Sequence, residues 1–106
     1  MLFTTTDTLP GYQIQTVLGV VTGNVVQSKH VGRDIMAGLK GIVGGELKGY
    51  TEMMSEARDK AIQRLVEEAS KLGADAVVGI RFSTSAILAG SSELLAYGTA
   101  VKLQRA

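Results

Sequence analysis

Side-chain character alternates from residue 14 onwards with a period of two, which is typical of a β-strand. One face would carry Ile14, Thr16, Leu18 and Val20, and the other Gln15, Val17, Gly19 and Val21. The strand would bend at Gly23 and Asn24 or continue to Val26. Just before it, "LPGY" places Pro10 and Gly11 in a turn. The pattern predicts a long first strand entered through a turn.

Two helices are predicted after this strand. Apolar residues from Ile35 to Val43 recur at helical spacing, but Gly38, Gly41 and Gly44 interrupt them, and each interior glycine costs roughly 1 kcal/mol relative to alanine. The second helix is much stronger and would run from Glu46 or Tyr50 to Leu72, with Gly73 as its C-cap. Its apolar stripe consists of Tyr50, Met53, Met54, Ala57, Ala61, Leu65, Ala69 and Leu72.

Two further strands follow the long helix. In the first, Ala76, Val78, Ile80 and Phe82 share a face, and in the second Leu95, Tyr97, Thr99, Val101 and Leu103 do so. The link between them, residues 83–92, holds small polar residues and Gly90 and predicts a flexible hairpin loop. The order strand, helix, helix, strand, strand indicates a single α+β domain over residues 1–106, with a mainly antiparallel sheet packed on the long helix.

Each of the three long strands carries a central glycine: Gly19, Gly79 and Gly98. If the bulkier face of each strand meets the helix, all three glycines fall on the opposite, outer face. A glycine inside a strand costs roughly 0.5–1 kcal/mol, and the residues around these three are small and apolar: Val17, Val21, Val77, Ala96 and Ala100. A solvated face would be polar. We therefore expect a second copy of the chain against this face, the alternative being that the glycines mark bulges in a curved sheet.

Composition excludes several classes of protein. The net charge of +1 comes without a basic run, which argues against a nucleic-acid partner. The absence of cysteine excludes disulfides and thiolate chemistry and fits a reducing compartment. The N-terminal residues do not resemble a signal peptide, and no apolar run is long enough to span a membrane. A cytoplasmic location without membrane partners is the expectation.

Several longer stretches resemble the YbjQ-like family of bacterial and archaeal proteins. They are "GGEL" followed by "YT", the helix-to-strand run ending in "LGADAVVGIRF", "AYGTAV", and the opening "TTT" with "LPGY". The resemblance covers nearly the whole chain. It implies an α+β subunit similar to that of dodecin, assembled as a pentamer or a pair of pentamers, and it carries a heavy-metal-binding label but no established reaction.

Arg58 is the first candidate binding residue, because a helical wheel places it within the apolar arc, where a charge needs a partner. Glu46 and Glu93, from the same or a neighbouring chain, are the candidate partners. Arg81, beside Gly79, is the second candidate. Each arginine is interpreted either as a contact for an anion or ligand at a subunit junction or as a structural residue whose charge is paired or reaches water.

A metal site finds little support in the sequence. Soft metals prefer cysteine or clustered histidine, and the chain has no Cys and only His30, unless several copies of His30 meet around an axis. No residue constellation is typical of a catalytic centre, and no cofactor motif is present. The expectation is an oligomeric protein that binds a small ligand or ion at subunit junctions. The alternatives are an enzyme with an interfacial active site and a heavy-metal-binding protein.

Overall fold

The computed structural model describes residues 1–28, 48–88 and 91–106. They form strand β1 (Leu2–Phe3), strand β2 (Tyr12–Ser28), helix α1 (Lys48–Lys71), strand β3 (Ala76–Leu88) and strand β4 (Ser91–Arg105). The four strands form one sheet in the order β1-β3-β4-β2. The pairs β2–β4 and β3–β4 are antiparallel and β1–β3 is parallel, so the α+β class is confirmed with a mixed sheet. The predicted glycine-rich helix lies outside the described residues.

The long helix is confirmed, and its end is closed as the sequence predicts. Gly73 has φ of 74°, its N–H donates to the carbonyl of Ser70, and the N–H of Ala74 donates to the carbonyl of Ala69. This pair of hydrogen bonds is a Schellman motif, which requires a left-handed residue and therefore favours glycine. Of the predicted stripe, Ala57, Ala61, Leu65 and Ala69 are buried, whereas Leu72, at the end of the helix, is 48% exposed.

The helix packs on the face of the sheet that carries Val21, Val77, Ala96 and Ala100, so the predicted face assignment is wrong for these residues. Leu18 and Ile80 lie against the helix as predicted. Ala61, Leu65 and Ala69 form one buried cluster with the sheet residues Val21, Val77, Ile80, Ala96 and Ala100. Val21, Val77, Ala96 and Ala100 had been expected on the outer face. The physical reason is the helix itself, because its contact stripe is mostly alanine and such a helix fits closest against a surface of small residues. This helix-covered face is called the inner face below.

Gly23 shows how closely the helix approaches the sheet. A Cβ atom at this position would collide with the main chain of α1, at the carbonyl oxygen of Ala61 and the nitrogen of Leu65. Only a residue without a side chain allows two backbones to come this near. The strand does not end at Gly23 but continues to Ser28.

Two of the three glycines singled out from the sequence mark bulges, as the alternative hypothesis stated. Gly19 has φ of 133° beside the register shift after Val17, and Gly79 has φ of 64° within the shift between Val78 and Arg81. Gly98 is on the inner face, where an added Cβ would lie 2.8 Å from Cγ1 of Val77. The interface role of these glycines stays a prediction, but its premise of a shared outer face is wrong.

The N-terminal segment covers one part of the outer face. Thr4 donates its N–H to the carbonyl of Val77, Pro10 and Gly11 make the predicted turn with a Tyr12 to Leu9 hydrogen bond, and Gly11 has φ of 85°. Leu9 packs against the buried residues Ala76, Val78 and Val101. The chain therefore supplies its own cover for this end of the sheet.

The predicted hairpin loop over residues 83–92 is wrong. Strand β3 continues to Leu88 and β4 begins at Ser91, and the ladder between them runs to the Leu88–Ser91 pair. The preferences of single residues are weak evidence in such a segment, because pairing with a neighbouring strand overrides them.

Candidate functional site

A chain of polar contacts crosses from the helix to the outer edge of the sheet. The guanidinium of Arg64 donates a hydrogen bond from Nη1 to the carbonyl oxygen of Asn24 on β2. The side-chain Nδ2 of Asn24 donates to Oε2 of Glu93 on β4 at 3.1 Å. These three residues are called the edge network. It ties α1, β2 and β4 together, and it places a carboxylate and an arginine near the end of the edge strand.

A shallow cleft of about 250 Å³ lies beside this network, between the end of β2 and the first half of α1. Its lining residues are Val25, Val26, Gln27, Met53, Glu56, Ala57 and Lys60. The valines, the methionine and the alanine make an apolar floor, while the exposed Glu56 and Lys60 place one negative and one positive charge at the rim. The cleft is smaller than the roughly 300–1,000 Å³ of typical ligand pockets, so within one subunit it offers a contact surface for a small molecule rather than an enclosed site.

Arg58 does not lie in the apolar stripe. Its side chain is exposed, and Nη2 donates to Oγ of Ser55 at 3.3 Å. The stripe that contacts the sheet follows Ala57, Ala61 and Leu65, so Arg58 lies on its flank and its long side chain reaches water. The structure gives Glu93 a different partner, Asn24, and Glu46 lies outside the described residues. The ligand-binding role of these residues is untested.

Arg81 ties down the N-terminal segment. Its Nη1 donates to the carbonyl oxygens of Thr5 and Ile80, each at 2.8 Å. The same segment receives the N–H of Gly79 at the carbonyl of Thr6. Hydrogen bonds from a charged donor to main-chain carbonyls are worth about 1.5–3 kcal/mol, and this geometry supports the structural interpretation of Arg81.

Sequence reasoning missed Arg64 and Asn24. Arg64 looked like one of many charges on the solvent side of a helix, and Asn24 looked like a turn residue beside Gly23. The one available signal was Glu93, which had been selected for a pairing with Arg58 and instead accepts from Asn24. The residues that make these contacts are 40 and 69 positions apart in sequence, so no local pattern could reveal them.

The donor set of the described residues does not fit a heavy-metal site. Soft metals are held by thiolate and imidazole groups, and the sequence has no cysteine and a single histidine, His30, which lies outside the described residues. Within residues 1–28, 48–88 and 91–106, no group of three or more His, Cys, Asp or Glu side chains converges as a metal site would need. Met53 in the cleft supplies one soft but weak donor.

Comparison with known proteins assigns the chain to a family. Residues 1–104 match the YbjQ_1 family model, which is described as "Putative heavy-metal-binding", and the chain therefore belongs to the YbjQ family. Similar relatives are the UPF0145 protein VP1283 of Vibrio parahaemolyticus and a UPF0145 protein of Thermotoga maritima. The first is 74% identical over 103 residues, covering 97% of this chain and 98% of the relative. The second is 60% identical over 105 residues, covering 99% of each chain.

A solved structure shares the fold. It is a protein of unknown function from Pediococcus pentosaceus that belongs to the DUF74 family, with a TM-score of 0.64 and 21% sequence identity. The alignment covers 98% of each chain. At this identity the similarity establishes the architecture and carries no activity. In the parts of the chain that the structure describes, no helix has both the length and the apolar character needed to cross a bilayer.

Proposed function

We propose that the protein is a homo-oligomer, a ring of dodecin-like subunits with five copies or a pair of such rings, that binds a small ligand or ion at the junctions between subunits in the cytoplasm. The observation that carries this proposal is an exposed apolar strip on the outer face of the sheet. Ile14, Val17, Val20 and Tyr97 form this strip, called the outer apolar patch below. Val17 is 64% exposed and Val20 is 74% exposed.

The outer apolar patch differs from the scattered apolar residues of an ordinary surface. Val17, Val20 and Tyr97 pair with Val101, Thr99 and Thr22, and by this register they lie on one face of two neighbouring strands. Contiguous apolar surface rarely stays in water on a monomer and usually marks an interface. A second subunit is the simplest cover, because the N-terminal segment already occupies the other end of this face.

The cleft between β2 and α1 supports the second half of the proposal. It opens beside the end of β2, and Val26 and Gln27 of that strand line it. A neighbouring subunit packed against β2 would close the open side of the cleft. A ligand within the cleft would then have a larger fraction of its surface buried. Lys60 at the rim would pair with an anionic group of the ligand.

Native mass spectrometry of gently purified protein tests the proposal. We expect a closed oligomer, with excess mass per ring when a ligand copurifies, and the ligand should be released on denaturation and identifiable by small-molecule mass spectrometry. Lys60→Ala should reduce the retained mass, whereas Lys102→Ala, far along β4, should leave it unchanged. A monomer at micromolar concentration would contradict the oligomer. A ring that never carries excess mass, in any preparation or ligand screen, would contradict the binding role.

The metal hypothesis makes a separate prediction. If copies of His30 around an axis bound a heavy metal, elemental analysis would find a fixed metal-to-ring ratio that His30→Ala abolishes. The donor set of the described residues does not favour this outcome. The hypothesis of an interfacial enzyme likewise gains no support from the geometry of the described residues.

A further inference from the structure

The rim of the cleft between β2 and α1 carries two opposite charges. Glu56 and Lys60 are both exposed, and both line the cleft. A glutamate four residues before a lysine is the favourable order for an ion pair on a helix. In the part of the chain that the structure describes, these two nevertheless form no ion pair, whereas Glu68 and Lys71 of the same helix do so at 3.1 Å. Both charged groups of the rim are therefore available to a ligand.

The floor of the cleft is apolar and adaptable. Val25 and Met53 are half-buried there, and Ala57 is buried. The thioether of Met53 is flexible and polarizable, so it adjusts to branched, thioether and aromatic groups alike. Gln27 adds an amide that can donate and accept hydrogen bonds. The cleft therefore offers a surface for an apolar group next to one cation and one anion.

The balance of charge at the rim selects the kind of ligand. A simple anion would be attracted by Lys60 and repelled by Glu56, and a simple cation would meet the reverse. The proposed neighbouring subunit against β2 would also remove water from the rim, and a charge that loses water without gaining a partner is costly. A ligand with one ammonium and one carboxylate gives each rim charge a partner and leaves the covered site neutral.

We propose that the ligand of this cleft is a free α-amino acid with an apolar side chain. Its carboxylate binds Lys60, its ammonium binds Glu56, and its side chain lies on the apolar floor. The two charges of an α-amino acid are attached to one carbon atom, which suits rim residues whose Cβ atoms lie about 5–6 Å apart, one helical turn from each other. This inference rests on the proposed function, because it names the ligand of the subunit junction.

Three probes with the same apolar body test the two charges separately. L-leucine carries both charges, isocaproate carries only the carboxylate, and isoamylamine carries only the ammonium. Calorimetric titration of the native protein should show L-leucine binding at least about tenfold more tightly than either analogue, because a hydrogen bond to a charged group contributes that much affinity. Equal affinity for L-leucine and isocaproate would overturn the amino-acid assignment and leave the proposed binding role standing.

Charge-neutralising variants assign each half of the contact. Glu56→Gln should abolish the preference for L-leucine over isocaproate, and Lys60→Gln should abolish its preference over isoamylamine. Glu67→Gln removes an exposed glutamate of the same helix that does not line the cleft. It is the matched control and should leave all three affinities unchanged. A Glu56→Gln protein that keeps the parent's full preference for L-leucine would overturn the assignment.

Nuclear magnetic resonance of isotope-labelled methionine methyl groups locates the bound ligand. Met53 lines the cleft, and the next residue, Met54, does not. L-leucine should shift the methyl signal of Met53 and leave that of Met54 in place, and binding without a shift at Met53 would overturn the inference.

The outcome separates this inference from the proposed function. If L-leucine, L-methionine and L-phenylalanine all fail to bind, the amino-acid assignment is wrong. A copurifying molecule of another class in native mass spectrometry would then still support a ligand at the junction. A ring that carries no excess mass and binds none of the three amino acids would overturn both.

Discussion

The two faces of the sheet meet different surroundings, and they carry the opposite kinds of side chain from those that a simple size rule predicts. The inner face under α1 is built mainly from glycine, alanine and valine, together with Leu18 and Ile80, and Gly23, Ala96 and Ala100 are buried there. The outer face carries the larger residues Tyr97 and Leu103. The comparison teaches that the helix covers the face that its backbone can approach most closely, and that side-chain bulk alone does not identify this face.

The outer face is itself divided. Leu9 covers Ala76, Val78 and Val101 near one end, so that part has a complete apolar layer within one chain. The outer apolar patch near β2 has no such cover from the described residues. Substitutions on the inner face should therefore affect the fold of the subunit, and substitutions in the patch should affect assembly. Unfolding of an oligomer depends on protein concentration, so all variants are compared at one concentration.

The largest effect is expected from Leu65→Ala. Leu65 is fully buried between helix and sheet, and removing its side chain leaves a cavity, which should lower the free energy of unfolding by about 2–5 kcal/mol. Urea unfolding followed by circular dichroism measures this change. Leu72→Ala, at the exposed end of the same helix, is the matched control and should cost far less. Equal losses for the two variants would contradict the packing of α1 on the inner face.

Gly23→Ala should be nearly as damaging. The new methyl group would overlap main-chain atoms of Ala61 and Leu65, and a helix backbone can only yield by moving away as a unit. Overpacking of this kind costs about 1–3 kcal/mol, and backbone contacts favour the upper end. Thr22→Ala, the neighbouring outward position, should change stability by less than about 0.5 kcal/mol. A Gly23→Ala variant as stable as the parent would show that the helix lies further from the sheet.

A smaller effect is expected from Gly79→Ala. The position has φ of 64°, and a left-handed conformation costs a residue with a Cβ about 1–2 kcal/mol. Space is not the problem, because the nearest atom to an added Cβ is Oδ1 of Asp7 at 3.5 Å. Gly79→Asn should recover part of the loss, since asparagine tolerates this region. If alanine and asparagine are equally destabilising in thermal unfolding, the bulge conformation is not the cause.

The smallest effect on subunit stability, but a large one on assembly, is expected from Val20→Lys. Val20 is 74% exposed in the subunit, so a charge there should change its stability by less than about 0.5 kcal/mol. In the proposed oligomer the same charge would be forced into an apolar contact. Native mass spectrometry should therefore show dissociation. Gln63→Lys, on the solvent side of α1, is the control, and unchanged assembly of Val20→Lys would place the interface elsewhere.

Much of the fold could be predicted because its signals are local. The alternation that begins at Ile14, the apolar stripe from Ala57 to Ala69 and the glycine after Leu72 each report the conformation of their own segment. The candidate site was predicted poorly. Among the described residues Arg58 contacts Ser55, three positions away, while the edge network joins residues from three elements. Patterns within one segment cannot show which side chains meet across elements.

What the sequence by itself determined is the type and order of β2, α1, β3 and β4 and the absence of charged residues from β2. The short strand β1 was not predicted. Hydrophobic periodicity and a glycine at the helix end depend on a few neighbouring residues, so both can be recognised from the sequence before the fold is known. Only the tertiary structure decided which sheet face the helix covers and that β3 and β4 continue through residues 83–88 and 91–92. Those outcomes depend on how closely the helix and sheet backbones pack and on hydrogen bonds between strands that are distant in sequence. Both contributions to the free energy arise only when the sheet is assembled, so no single segment carries them.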